Sequence, residues 1–438
     1  MIHIFWNILA GSMLALPFIW PGTFWPLVLI AFSPLMAAVV NSRFSFLSTS
    51  IWYSSFMLCH TTALFFSLHP QEQTLALAIC LALTCIIIGL QTGLWFFITS
   101  CFVQRTQQKI IKIGIVCASL FLFLLFLDRA LFWFFGAFQG YGLIHPLLPL
   151  LSFFPFITII ATLGEFFSLL LLIVCNLIVS FLYKKSKIYF FMIGVCAVIF
   201  GIICYYIPDS NNKHVGPAWL SRVAYAQLSG TTQTAYTTAQ EIKRIVLEIL
   251  EKQPEVESIC FPESTFCYSL YHAPLSLMLL TEALPESKKI MLGAHKKNNQ
   301  NYYSCCIALN NSSIDYCYIK KKLLFFAEEL PAGFTYFSCF KKLFLGAGVS
   351  FSSADTKQQE TFMLLDTLKI TPLICSELFL GHKPIHAFDC LLALVNDKRF
   401  SYGPFYKLLY QTARLKALLW GKPILYVGYK KHGYIPAY

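Results

Sequence analysis

The first 207 residues of this chain are almost devoid of charge, and that constrains its fold more than any other feature. They hold eight basic residues (Arg43, Arg105, Lys109, Lys112, Arg129, Lys184, Lys185, Lys187) and three acidic ones (Glu72, Asp128, Glu165), leaving 25 of 33 basic and 18 of 21 acidic residues to the remainder. So few charges cannot solvate a water-exposed surface of that size, and the mean hydropathy of +0.64 belongs to the membrane class. A helix needs about 20 apolar residues to cross a bilayer. Seven runs qualify, at roughly 4–20, 23–41, 51–68, 74–102, 112–127, 161–183 and 188–207. We therefore expect a polytopic α-helical membrane domain over residues 1–207 and a second domain over 208–438, with the boundary near Pro208.

The first run lacks a basic start and a small-residue cleavage site, and it runs into Trp20-Pro21-Gly22, so it does not read as a cleaved signal peptide. With the amino terminus inside, loops 42–50, 103–111 and 184–187 face the cytoplasm and, together with Lys112, contain seven of the eight basic residues. Seven crossings then deliver residues 208–438 to the outer side. The Phe-, Gly- and Pro-rich stretch 128–155 is expected as a re-entrant or interfacial element, with Asp128 and Arg129 as an interfacial ion pair.

The net charge of +12 is spread, not clustered, so no nucleic-acid partner is expected. Eight of the 16 cysteines lie in or beside apolar spans, where cysteine packs as a small hydrophobe. The others contain no C-x-x-C pair, so a structural zinc site is not expected; no cofactor is expected either.

From residue 208 the pattern changes to short β-rich runs and polar helical segments. Strands are expected at 222–227, 258–261, 290–293, 303–309, 317–319, 361–365, 370–375 and 390–395, with helices at 235–252 and near 404–420. Such alternation indicates an α/β layered domain.

Three stretches of this half carry chemistry. Phe261-Pro262-Glu263-Ser264 supplies a carboxylate, Tyr318-Ile319-Lys320 an ammonium and Leu373-Ile374-Cys375-Ser376-Glu377 a thiol. A thiol with a pKa of about 8.5 needs a base to become a nucleophile, and a buried glutamate can serve. A tetrahedral intermediate develops an oxyanion that a lysine and a backbone N–H stabilise. Singly, each has a commonplace reading: a capping carboxylate, a solvated lysine in Lys320-Lys321-Lys322, a core cysteine. Together and in this order they are the set needed for acyl transfer through a thioester.

These stretches resemble the glutamate, lysine and cysteine motifs of the nitrilase (carbon-nitrogen hydrolase) superfamily. The preceding spans make the chain similar to its membrane branch, the apolipoprotein N-acyltransferases. Phe261-Pro262-Glu263 resembles W-P-E, and Tyr318, Lys320, Leu323, Phe325, Phe326, Ala327 and Glu328 follow Y-x-K-x-x-L-x-P-F-G-E. Ile374-Cys375-Ser376-Glu377 matches I-C-x-E. Weaker matches are Ala10-Gly11 through Leu35, Leu292-Gly293-Ala294, Tyr302-Tyr303-Ser304, Val395-Asn396-Asp397 with Phe400, Ala413-Arg414 and Gly421-Lys422-Pro423.

The resemblance implies a nitrilase-like αββα sandwich with Glu263, Lys320 and Cys375 catalytic and Glu328 and Glu377 supporting. It implies a bacterial inner-membrane enzyme with its catalytic domain on the periplasmic side. Cys375 would take an acyl chain from a phospholipid, and the α-amino group of a lipoprotein's terminal cysteine would accept it. Water as acceptor, giving an amidase-like hydrolase, and a role in conjugal transfer or envelope assembly are the alternatives. Phe325 and Ala327 depart from the family's proline and glycine, Leu419 stands for a glutamate, and Tyr429-Lys430-Lys431-His432 replaces T-N-x-G. The chain also ends at Tyr438, where the family continues into final strands and a closing helix.

Four further groups carry expectations of their own. His382, His386 and Cys390 share a helical spacing but surround Pro384, so a metal is not expected there. Cys305-Cys306 should alternate across a strand, and His295 should lie in a loop. The aromatic stretch 325–337 reads either as a lid dipping into lipid or as core.

Overall fold

The computed structural model describes residues 2–40, 46–68, 75–127, 145–185, 187–206, 216–228, 234–298, 301–323, 328, 351–353, 358–380, 383–400 and 405–437. The chain divides into a helical unit, Met1–Asn212 with Phe400–Leu415, and an α/β unit, Lys213–Arg399 with Lys416–Tyr438.

In the helical unit the elements are α1 (Ile2–Ile19), α2 (Pro21–Phe24), α3 (Ser33–Val40), α4 (Phe46–Ser67), α5 (Leu75–Arg105), α6 (Lys109–Leu127), α7 (Phe154–Lys185) and α8 (Lys187–Tyr206). Among the described residues, two helical segments are long and apolar enough to cross a membrane, Leu77–Arg105 and Pro155–Leu182. The run expected at 23–41 is not one helix. A 3-10 turn at Trp25–Leu29, with Pro26 in its first positions, separates α2 from α3, because proline removes a donor and disfavours helix in the residue before it. Asn176 of α7 satisfies the interrupted backbone: its Oδ1 accepts from Phe32 N at 2.9 Å and its Nδ2 donates to Val28 O at 3.2 Å. Ser33 Oγ adds a bond to Asn176 O at 2.9 Å. Apolar surroundings tolerate a broken helix only with such repair. Helix α7 is itself kinked at Gly164, whose φ of 73° lies in the left-handed region that glycine permits. Pro208, Asp128 and Arg129 lie outside the described residues.

The α/β unit holds two sheets. The strands are β1 (Val223–Tyr225), β2 (Ser258–Cys260), β3 (Phe266–Ser269), β4 (Lys289–Asn298), β5 (Asn301–Leu309), β6 (Ile314–Ile319), β7 (Phe362–Leu365), β8 (Leu368–Ile374), β9 (Cys390–Leu394), β10 (Ile424–Val427) and β11 (His432–Ile435). Its helices are α9 (Ala235–Lys252), α10 (Pro274–Glu282) and α11 (Glu377–Leu380), and a further helix, α12 (Phe405–Trp420), begins among the residues of the helical unit and ends among those of the α/β unit.

One mixed sheet has the order β1-β2-β4-β5-β6 with β3 on β4, and the other runs β11-β10-β9-β8-β7. The alternation of strand side chains explains the layering. Cys260, Met291, Cys306 and Tyr318 join Ile370, Ile374, Leu392 and Leu425 in a cluster between the sheets. Their neighbours Ile259, Phe261, Cys305 and Ile307 turn the other way, onto Ala239, Ile242 and Val246 of α9 and Leu280 of α10. Cys305 and Cys306 thus face opposite sides of β5. Helix α9 starts where the sequence signals it, with Thr237 N donating to Thr234 Oγ1 at 3.1 Å. His295, expected in a loop, lies within β4, with its ring 5.1 Å from that of Phe351. Parallel β9 and β10 are joined by a crossover containing α12.

Candidate active site

Strand β2 is followed by Phe261, whose N–H still bonds Met291 O at 2.8 Å, and the chain then turns sharply. Ser264 carries a φ of 57°, strained for a residue with a side chain. The turn is pinned by Thr265 Oγ1 donating to Pro262 O at 2.8 Å and by Gly293 N donating to the same oxygen at 3.2 Å. A Cβ on Gly293 would stand 2.4 Å from Glu263 Cα and 2.7 Å from Pro262 O, so only glycine lets β4 pass beneath the turn. Glu263 ends 5% exposed.

Lys320 leaves β6 with its N–H bonded to Ser304 O at 2.9 Å. Its side chain is 1% exposed, although Lys320-Lys321-Lys322 reads as a solvated run. Its Nζ lies 3.1 Å from Glu263 Oε1 and 2.7 Å from Glu328 Oε1. Ser304 Oγ donates to Glu263 Oε1 at 3.4 Å. Glu328 is held through its backbone, where Phe351 N donates to Glu328 O at 3.1 Å and Ser352 N to Tyr302 O at 2.8 Å. Burial opposes the charge on Lys320, but Glu263, Glu328 and the nearby Cys375 outweigh it, and the lysine pKa moves above its ordinary value. The ammonium persists at neutral pH.

Cys375 follows β8 in a second strained turn, with a φ of 43°. Its N–H donates to Leu394 O at 2.8 Å, its carbonyl accepts from Leu378 N at 3.0 Å, and its side chain is half-buried. Glu377, 2% exposed, ties this turn to the lysine turn. Its Oε2 accepts from Ile374 N at 2.9 Å, and its Oε1 accepts from Lys321 N at 2.7 Å and Tyr318 Oη at 2.9 Å. Burial raises the Glu377 pKa, and the donors from Ile374, Lys321 and Tyr318 pull it partly back. Ser376 Oγ adds a bond to Lys322 O at 2.6 Å.

Two residues outside the expected set shape the surroundings. Asp397 Oδ1 accepts from Tyr429 N at 2.6 Å and Lys430 N at 2.9 Å, joining the end of β9 to the β10–β11 turn. The Tyr429 hydroxyl then lies 3.4 Å from Thr265 Oγ1, and burial pushes its pKa up to about 12. The Asn396-Asp397 motif pointed to the first; Tyr429 stood out in the sequence only as the start of the stretch that replaces T-N-x-G. Phe325 and Ala327 lie outside the described residues, as does most of 325–337. So does His382, while His386 Nε2 lies 3.3 Å from Glu360 Oε2 and Cys390 is buried in β9. No group of three His, Cys, Asp or Glu suited to a metal occurs among the described residues.

No family model and no curated protein matches the chain. Among solved structures it is similar to a carbon-nitrogen hydrolase from Helicobacter pylori G27, at 10% identity and a TM-score of 0.34, covering 47% of this chain and 72% of that one. It is also similar to Saccharomyces cerevisiae Nit3, a member of branch 10 of the nitrilase superfamily, at 15% identity and a TM-score of 0.33, covering 47% and 74%. A glutamine-dependent NAD(+) synthetase from Cytophaga hutchinsonii matches at 14% identity and a TM-score of 0.32, covering 47% and 35%. In each case the likeness is of low identity and covers 47% of this chain.

Proposed function

We propose that this chain is a membrane-bound acyltransferase that works through a thioester on Cys375, with Glu263 as the base and Lys320 as the cation that steadies developing negative charge. The observation that carries the reading is the buried Glu263–Lys320–Glu328 chain, 3.1 and 2.7 Å long in its two links. A lysine this deep between two carboxylates costs desolvation that a purely structural apolar contact would avoid, and it stands close enough to Cys375 for their charges to interact.

In the first half-reaction Glu263 takes the Cys375 proton as Sγ attacks an ester carbonyl. Lys320 stabilises the oxyanion, and Glu263 returns the proton to the departing lysophospholipid alcohol. In the second, an amine attacks the thioester, Glu263 accepts its proton, and the thiol leaves with that proton. The positive-inside rule, applied to the basic loops of the sequence, supports a periplasmic α/β unit at a bacterial inner membrane, where diacylated lipoproteins present their amino termini. The lipoprotein acceptor rests on the motif resemblance. Complementation of a strain depleted of its own lipoprotein acyltransferase tests it: growth with the native chain and none with Cys375→Ala supports the acceptor, and no growth with either contradicts it.

A further inference from the structure

The α/β unit exposes an apolar strip beside the end of the sheet that carries Glu263. Tyr271, Leu275 and Met278 are 45%, 63% and 48% exposed, and their spacing of four and three residues sets them on one face of α10 and the turn before it. Lys296 and Lys297 stand next to this strip at the far end of β4. Lys296 Nζ sits 4.8 Å from the centre of the Tyr271 ring, and Lys297 Nζ sits 5.3 Å from that of Tyr302. His272 Nε2 lies 3.2 Å from Lys297 O, fastening the turn to the strand.

The location follows from the strand register. Strands β2 and β4 are parallel with Cys260 opposite Met291, so Glu263, beyond Cys260, and Lys296, beyond Met291, lie toward the same end of the sheet. Strand β3 continues the contact, pairing Phe266 with Ala294 and Ser269 with His295. The strip is therefore reached a few residues past the glutamate on two neighbouring segments.

Its chemistry selects one kind of occupant. Segments 264–281 and 290–314 contain no Asp or Glu, while the second holds Lys296 and Lys297. Exposed leucine and methionine flanked by tyrosines with lysines stacked over them match a bilayer boundary: alkyl groups enter the acyl region, tyrosines sit at the headgroups and ammonium groups meet phosphates. An acidic partner protein would pair with the lysines but would leave no reason for unpaired apolar side chains to ring them.

We propose that the Tyr271–Leu275–Met278 face, with Lys296 and Lys297, docks on a phospholipid surface bearing anionic headgroups and so presents lipid at the Glu263 end of the α/β unit. Its use for acyl-donor delivery rests on the thioester reading above; the docking itself does not. Two lysines near an anionic surface contribute enough attraction to change occupancy by about tenfold or more.

The test is hydrogen–deuterium exchange of the full chain in nanodiscs of phosphatidylcholine alone and of phosphatidylcholine with phosphatidylglycerol. Docking predicts that peptides spanning 268–281 and 294–303 exchange about tenfold more slowly in the anionic discs. It also predicts that Lys296→Glu with Lys297→Glu erases the difference, and that Leu275→Ser with Met278→Ser reduces it. Equal exchange in both discs, or a difference that survives charge reversal, overturns the proposal. Acylation of Cys375 from a short soluble ester, measured on the same variants, separates this failure from failure of the catalytic reading.

Discussion

The backbone N–H of Lys321 donates to Glu377 Oε1 at 2.7 Å, so the carboxylate two residues after the thiol also fixes the residue after the ammonium. Strands β6 and β8 belong to different sheets, and this side chain joins their ends. Glu377→Gln keeps the shape but replaces one acceptor by a donor facing an N–H or a hydroxyl. Displacing the two turns relative to each other is expected to lower the acylation rate about 100-fold. Glu377→Ala, which leaves three donors without their acceptor, is expected to destabilise the α/β unit by about 3 kcal/mol or more. Stopped-flow acylation and thermal unfolding in detergent measure the two effects.

Removing Lys320 isolates two buried carboxylates. Lys320→Met is expected to abolish acyl transfer and to destabilise the unit by about 3–5 kcal/mol, because the partners lose their counter-charge. Adding Glu328→Gln to it should recover part of the stability and none of the activity. Activity retained by Lys320→Met would remove the lysine from the mechanism.

Gly293→Ala introduces a methyl group into the 2.4 Å approach to Glu263 Cα. The turn must move, and we expect a loss of about 100-fold in kcat with about 1–3 kcal/mol of stability. The same substitution at Gly114, which has no neighbour within 4 Å, is expected to leave activity unchanged.

Both Lys320 and Glu377 have raised pKa values in the folded chain, and the sign of their linkage is the same. A group that binds its proton more tightly when folded contributes stability below its unfolded pKa and loses it as the pH climbs through the folded value. For Glu377 that loss begins above about 4.3, and for Lys320 only above about 10.4. Unfolding followed by pH should therefore show a decline on the neutral side of 4.3 that Glu377→Gln flattens. The Lys320 contribution should persist to strongly alkaline pH.

Much of the α/β unit is legible in the residues themselves. The alternation of Ile259, Cys260 and Phe261, the capped stripe of α9 and the Pro-Glu, Lys and Cys-x-Glu turns all announce their structures locally. Strand β3 is too short and α10 too uniformly apolar to show a period. The burial of Lys320 is invisible because three consecutive lysines read as solvated, and what reverses that is Ser304 of the neighbouring strand, Glu263 57 residues earlier and a glutamate eight residues on. Likewise, the repair of the 23–41 break by Asn176 depends on a contact across about 150 positions, which no local pattern encodes.

In the proposed reaction Cys375 carries the acyl group between donor and acceptor. Mass spectrometry of the full chain after incubation with a phospholipid of defined acyl composition tests it most directly. One added acyl mass is expected on the peptide containing Cys375, released by neutral hydroxylamine, absent in Cys375→Ala and strongly reduced in Glu263→Gln. An unmodified Cys375 in a chain that still transfers acyl groups, or an adduct that forms equally well without Glu263, would contradict it.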